Sequence, residues 1–297
     1  MGQDTIYVVD LRNKEVLAFD LNGDQLFRIG GIGYGPGEFT APCAITSADG
    51  YLYIADDEQM RISVFTYSGQ YVSTISIENR PCEMEVFEGQ LFVGTRSTEN
   101  VVWRIDCQNP TDREPILTHS NQLLRDTELR VRLIRPQLTI LKDELFVGLE
   151  NKSLLVVISL RTMEVVRTIE VNNDFTSSYL QQFDKKNADL PDGLWMIPRA
   201  FISLSQWGDK YLLIQVRTDP IDGMSPTIIV LDPISGNEIG LRIVAKDLGY
   251  QHMKVLPNGL IAWTSYHDAT VHLYKFPVSP VNVSSAQQAH AADIGGN

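Results

Sequence analysis

The sequence is poor in several features that define common protein classes. Cysteine occurs only three times in 297 residues, at Cys43, Cys82 and Cys107, which is too few for a disulfide scaffold. The longest apolar runs, such as Leu154–Leu160, are far too short to span a bilayer. No charged start followed by a long apolar stretch and a cleavage site is visible. The sequence therefore predicts neither a disulfide-rich fold nor a transmembrane segment.

Basic residues are also scarce. Lys and Arg number 25 against 37 Asp and Glu, which gives a formal net charge of -12. Nucleic-acid binding needs a clustered cationic surface, so the composition argues against a nucleic-acid partner. Disorder is not expected either, because 43% of the residues are hydrophobic and only 21% are charged.

Helical periodicity is nearly missing, and short apolar, β-branched and aromatic runs recur instead. One pentapeptide pattern appears six times along the chain, and neighbouring copies begin 39 to 67 residues apart. Repeats of this length are typical of propeller blades. The copies are Ile6–Asp10, Leu52–Asp56, Leu91–Thr95, Leu145–Leu149, Leu212–Val216 and Leu260–Thr264.

Further strand-like runs surround each pentapeptide, and tight turns such as Asn22-Gly23, Ser68-Gly69 and Ser235-Gly236 separate them. The pattern predicts an all-β, six-bladed β-propeller with four-stranded antiparallel blades. We expect one propeller domain over residues 1–278, and a closing strand, a flexible tail or both over residues 279–297. The chain opens on the second strand of the first blade.

The second repeat carries a specific resemblance. It contains Gly31–Pro42 with its Gly-Pro-Gly-Glu-Phe stretch, then Leu52–Asp56, Arg61–Phe65 and Ser68-Gly69. This region resembles an NHL repeat and bacterial six-bladed propeller proteins, which are commonly exported or lipid-anchored. The resemblance implies the fold and a periplasmic or secreted location, while a cytoplasmic location stays open because no export segment is visible.

Two connections between predicted blades are unusually long, at His119–Arg135 and Asn172–Arg199. In a propeller they join the face where the first strand of each blade begins. Connections of this length in a compact domain are usually binding loops or lids, although decoration that packs between blades is an equal alternative.

Several arginines are predicted to lie on the same face, at the ends of the first and second strands. Such a cluster would attract a carboxylate, phosphate or sulfate group, and Trp195 is a candidate for an apolar wall beside it. The alternative is that each arginine pairs with an acid such as Asp56, Asp57, Glu83 or Glu150. The candidate ligand-binding arginines are Arg80, Arg96, Arg135, Arg199 and Arg217.

Metal and phosphate motifs are weak. Cys43 and Cys82 are predicted to occupy equivalent positions on adjacent strands, where small apolar fillers are more frequent than metal ligands. The glycine-rich run from Gly31 to Gly35 lacks the following helix and Lys-Ser/Thr of a phosphate-binding loop. We therefore predict no cofactor and no metal ligand, with a divalent metal as an open alternative.

Three functions fit these observations. The first is a non-catalytic recognition propeller that binds an anionic small molecule, a glycan or a partner protein at the predicted channel mouth. The second is an enzyme, a lyase, isomerase or hydrolase, in which His252, Tyr266 and His267 move protons while the arginines hold charge. The third is a structural module whose loops form an assembly interface.

Overall fold

The protein is described by a computed structural model. It describes residues 5–97, 99–118, 135–149, 153–171, 177–182, 185, 201–216, 227–244, 250–256, 259–265, 271–275 and 292–293. These residues form six separate sheets with a short helix at residues 177–182. No described helix combines the length and the apolar character needed to cross a bilayer. The chain divides into two compact units, Met1–Pro136 and Gln137–Asn297.

The first unit contains three blades. Blade 1 has three strands, and blades 2 and 3 have four antiparallel strands each. The strands of blade 1 are β1 (Thr5–Asp10), β2 (Glu15–Asp20) and β3 (Gln25–Gly30). Those of blade 2 are β4 (Pro42–Ala48), β5 (Tyr51–Asp56), β6 (Arg61–Thr66) and β7 (Tyr71–Ser76). Those of blade 3 are β8 (Pro81–Phe87), β9 (Gln90–Thr95), β10 (Asn100–Asp106) and β11 (Arg113–Thr118).

The second unit contains the other three blades. Blade 4 comprises β12 (Pro136–Leu141), β13 (Glu144–Leu149), β14 (Leu154–Ser159) and β15 (Glu164–Glu170). Blade 5 comprises β16 (Phe201–Trp207), β17 (Tyr211–Val216), β18 (Thr227–Leu231) and β19 (Glu238–Val244). Blade 6 comprises β20 (Tyr250–Val255), β21 (Leu260–Ser265) and β22 (Val271–Lys275). A final short strand, β23 (Ala292–Asp293), pairs in parallel with β19 of blade 5.

The predicted all-β, six-bladed propeller is confirmed. All six pentapeptides lie in strands: β1, β5, β9, β13, β17 and β21. The predicted turns also form, with left-handed φ values of 91° at Gly23, 82° at Gly69 and 72° at Gly236. Blade 1 shows three described strands, as expected for a chain that opens on the second strand of that blade, and blade 6 also shows three. The sequence analysis did not foresee the parallel pairing of β23 with β19.

Apolar strands on both faces hold the blades together. In β5 the side chains of Leu52, Ile54 and Ala55 are completely buried, although neighbours in a strand point to opposite faces. Leu52 and Ile54 pack with Phe39 in a cluster shared with blade 1. Ala55 belongs to a cluster shared with blade 3. Burial of each large apolar side chain contributes about 1.5–3 kcal/mol, so blade stacking is the main source of stability.

A β-bulge repeats near the start of the first strand in blades 2 and 3. In blade 2, Pro42 pairs with Asp56 and Ala44 pairs with Ala55, which leaves Cys43 as the extra residue. Cys82 is the extra residue at the same place in blade 3. The predicted equivalence of the two cysteines is therefore confirmed. A bulge re-aims the side chains beside it, and bulges are frequent next to binding sites.

Gly30 ends β3 in the left-handed region, with φ of 84°, and a Cβ atom there would overlap the buried Phe39 ring. We expect Gly30→Ala to destabilise the protein more than Gly23→Ala. Gly23 has a similar φ of 91° but has nothing within 4 Å of an added Cβ atom. The control should cost about 1–2 kcal/mol for the backbone conformation alone. Gly30→Ala should cost a further ~1–3 kcal/mol from overpacking.

Urea unfolding of the wild type and of both variants measures the two costs. Equal losses of unfolding free energy in the two variants would show that Phe39 does not constrain the connection between blades 1 and 2.

Candidate functional site

One end of the first unit gathers the connections that begin the blades. Pro42 pairs with Asp56, so the connection 31–41 and the turn 57–60 lie at the same end of blade 2. Pro81 pairs with Thr95 in the same way in blade 3. Asp57 forms an ion pair with Arg96, which shows that the two blades present these ends side by side. We call this region the loop end, defined by residues 31–41, 57–60, 77–80 and 96–97.

Asp56 is the anchor of the loop end. Its side chain is fully buried and accepts hydrogen bonds from the backbone of Thr40 (2.7 Å), Ala41 (3.2 Å) and Gln59 (3.0 Å). The Gln59 side-chain amide adds another at 3.1 Å. Burial alone raises the pKa of Asp56, but these hydrogen bonds outweigh it and lower the pKa below its ordinary value of 3.8. The carboxylate therefore stays charged and fixes the entry to β4.

The glycine-rich connection encloses a carboxylate of the protein itself. The Gly35 backbone donates to the Glu38 side chain at 2.8 Å, and a Cβ atom at Gly33 would overlap that carboxylate. Arg61 holds the loop from outside by donating to the carbonyl groups of Gly35 (2.8 Å) and Glu38 (2.6 Å). This geometry explains the glycines without a bound phosphate. It agrees with the expectation that the run is not a phosphate-binding loop.

Arg96 and Asp57 meet between blades 2 and 3. The Arg96 Nη1 atom lies 3.4 Å from the Asp57 Oδ2 atom, and the two side chains are 16% and 11% exposed. The other carboxylate oxygen of Asp57 and the Nε atom of Arg96 are buried and have no hydrogen-bond partner among the described residues. The sequence analysis named Asp57 as a possible partner of a candidate arginine, and the structure shows this pairing for Arg96. The pair is loose, because its contact exceeds a normal hydrogen-bond length.

Arg80 lies next to this pair. Its carbonyl group accepts a hydrogen bond of 2.8 Å from the Arg96 backbone. Its side chain is exposed, and its guanidinium group has no ion pair with any residue that the structure describes. Arg80 is thus a cation at the loop end that is open to a ligand.

The two bulge cysteines lie beneath the loop end. The Cys43 thiol donates to the Pro81 carbonyl at 3.1 Å, and the Cys82 thiol donates to the Gly94 carbonyl at 3.4 Å. Burial raises the pKa of Cys43 to about 12, with smaller contributions from the negative charges of Asp57 and Glu83. The contact with the Pro81 carbonyl shows that Cys43 joins blades 2 and 3. That the protein binds no metal stays a prediction.

The remaining predicted site residues are only partly described. Arg135 is half-buried and directly precedes β12, and His252 lies exposed in β20. Five others lie outside the described residues, together with most of both long connections: Trp195, Arg199, Arg217, Tyr266 and His267. Their membership of a common site stays a prediction.

Sequence reasoning missed the framework that holds the site. Asp56 was considered only as an ion-pair partner for an arginine, yet it binds backbone and amide groups. The roles of Gln59 and Arg61 were not foreseen either. The sequence offered one indication of this framework. In the Gly-Pro-Gly-Glu run, the glutamate side chain can fold back onto the preceding glycines.

Comparisons with known proteins agree on the fold. A family described as a 6-bladed beta-propeller matches residues 1–113. No curated protein sequence matches the chain.

Among 944 matching chains of known structure is the β-propeller domain of Cps50 (Swd1) from Myceliophteria thermophila. It is 10% identical, with 93% of this chain and 98% of that chain covered and a TM-score of 0.52. Hydrazine synthase from Kuenenia stuttgartiensis is 13% identical, with 93% of each chain covered and a TM-score of 0.55. Identities this low show the fold alone, because one fold carries many functions.

The anchoring role of Asp56 predicts a pH-dependent loss of stability in Asp56→Asn. Near pH 7 the variant should lose about 3 kcal/mol of unfolding free energy, because an amide cannot replace a charged acceptor among these donors. The folded-state pKa lies below 3.8, so the wild type loses the contribution of Asp56 as the pH falls through that lowered value. The difference between the two proteins should therefore shrink below about pH 4.

Urea unfolding near pH 7 and near pH 3 measures this difference. Asp24→Asn is the control, since Asp24 is exposed and its side chain has no hydrogen bond among the described residues. A wild-type advantage over Asp56→Asn that is unchanged at pH 3 would contradict the charged-acceptor role.

Proposed function

We propose that this protein is a non-catalytic recognition propeller that binds an anionic ligand at the loop end of the first unit. The observation that carries the proposal is that two arginines lie opposite each other at the loop end. Arg96 and Arg80 are joined through their backbones, and the exposed Arg80 guanidinium group has no carboxylate partner in the described part of the chain. Guanidinium groups hold carboxylate, phosphate and sulfate groups through two parallel hydrogen bonds.

The overall charge sharpens this proposal. The net charge of the chain is -12, yet an exposed arginine without a carboxylate partner still attracts an anion at short range. Arg96 is held in place by Asp57 but is only loosely bound by it. This long contact lets the Arg96 side chain exchange Asp57 for a ligand anion.

The same end offers an anchor for a macromolecular ligand. Ile32 and Tyr34 lie in the connection held by Arg61, and their exposed fractions are 76% and 80%. Large exposed apolar side chains on a fixed loop are suited to contact a partner protein or the apolar face of a sugar. This supports a glycan or a partner protein among the possible anionic ligands.

The wider features of the sequence belong to the proposal as well. Arg135, Arg199, Arg217 and Trp195 are proposed to extend the ligand site. The NHL-like assignment and a periplasmic or secreted location rest on the resemblance of the second repeat. The enzymatic alternative depends on His252, Tyr266 and His267 together, and a divalent metal would enter only with that alternative.

The proposal predicts that anions stabilise the protein through Arg80 and Arg96. Thermal unfolding with carboxylates, sugar acids, phosphate or sulfate should give a midpoint several degrees higher when a ligand is about a hundredfold above its Kd. Arg80→Ala and Arg96→Ala should each abolish most of the shift. Arg28→Ala is the control, because Arg28 is 59% exposed and pairs with Glu15 in blade 1.

Absence of any shift from these anions would exclude an anion site in the protein. A shift that survives both substitutions would place the anion elsewhere and contradict the role of the loop end.

A further inference from the structure

The ion pair at the loop end is incomplete in a specific way. Asp57 and Arg96 share a contact of 3.4 Å, and each keeps one buried polar atom without a hydrogen-bond partner in the described part of the chain. The unpaired atom of Arg96 is a donor, and the unpaired atom of Asp57 is an acceptor. A buried polar atom without a partner is unfavourable, so this arrangement favours a ligand that supplies both kinds of group.

The charges around the pair also restrict the ligand. Three carboxylates lie near the ion pair: Asp57 is part of it, Asp56 precedes Asp57, and Glu83 pairs with Gly94, two residues before Arg96. Asp57 and Glu83 both act on the Cys43 thiol between the strands, as does Arg96 with the opposite sign. A doubly charged anion such as phosphate or sulfate would meet repulsion from Asp57, whereas a monocarboxylate carries less charge into the site.

Asp57 keeps one carboxylate oxygen that has no hydrogen-bond partner among the described residues. Both oxygens of Asp56 are already engaged by Thr40, Ala41 and Gln59. Glu83 has an interaction of its own. Two side-chain oxygens at the loop end have no partner among the described residues, the Oδ1 atoms of Asp57 and Asn79, and Asp57 is the one that pairs with Arg96. An ionised carboxylate only accepts hydrogen bonds, so the ligand group beside it must be a donor such as a hydroxyl.

We propose that the loop end recognises a hydroxylated monocarboxylate, with sugar acids as the chemical class. The ligand carboxylate binds Arg80 and Arg96, and a neighbouring hydroxyl donates to Asp57. Because the two unpaired atoms are covered by protein, the ligand reaches them by drawing the Arg96 side chain away from Asp57. This inference rests on the proposed anion site and names its ligand class.

Matched probes test the inference on the full chain. Three probes carry both a carboxylate and hydroxyl groups: glucuronate, galacturonate and gluconate. Acetate carries only the carboxylate, and glucose carries only the hydroxyl groups. Inorganic phosphate carries two negative charges. Isothermal titration should show that at least one sugar acid binds more tightly than acetate, glucose and phosphate. The expected gain over acetate is on the order of tenfold, the value of one hydrogen bond to a charged group.

Asp57→Asn should weaken the binding of the best sugar acid by about tenfold. The affinity for phosphate should come closer to that for the sugar acid, because the repelling charge of Asp57 is gone. Asp112→Asn is the matched control, since Asp112 is an exposed aspartate that pairs with Arg104 in blade 3. That control should change neither affinity. A melting curve without ligand checks that each variant is folded. If the Asp57→Asn variant does not fold, the order of affinities that the wild type shows for the probes decides the question.

The outcomes separate this inference from the proposed function. If phosphate or acetate binds at least as tightly as every sugar acid, and Arg96→Ala abolishes that binding, the ligand class is wrong while the anion site stands. The same holds if a folded Asp57→Asn variant leaves the ranking unchanged. If no anion shows binding that depends on Arg96, the anion site and the ligand class both fail.

Discussion

Burial of both faces of the second strand in a blade is the constraint on which the structure depends. In β5 and β9 almost every side chain is buried, so each of these strands requires a neighbouring sheet on either side. Stacking of blades 2 and 3 meets this requirement through the cluster that contains Ala55 and Val93. Because the strands run in register, stacking also brings the starts of β4 and β8 to one end, where the candidate site lies.

The loop end combines side chains that hold the backbone in place with polar atoms that have no hydrogen-bond partner among the described residues. Asp56, Arg61 and Glu38 use their polar groups on the backbone of the connection, so these charged side chains serve the fold. Asp57 and Arg96 lie a few residues away and leave polar atoms unpaired. The first three side chains contact amides and carbonyls of one loop, whereas Asp57 and Arg96 come from adjacent blades. The Nε atom of Arg61 is likewise buried without a partner among the described residues. Unsatisfied groups beside a rigid frame are what a binding site requires.

A propeller fold does not specify a function, so the chemistry of this end carries the argument. The predicted positions of the arginines suggested a cationic patch in a chain of negative net charge. The described residues instead show that Arg96 pairs with Asp57, while Arg80 is exposed. The glycine-rich run nearby encloses the Glu38 carboxylate.

The sequence by itself determined the strands, the turns and the number of blades, because apolar periodicity and turn residues act over a few neighbours. It also placed Cys43 and Cys82 at equivalent positions, since repeat spacing is a property of the chain. Only the tertiary structure decided that Asp57, and not Asp56, forms the ion pair with Arg96. Those partners come from different blades, and a shift of one residue in register would change them.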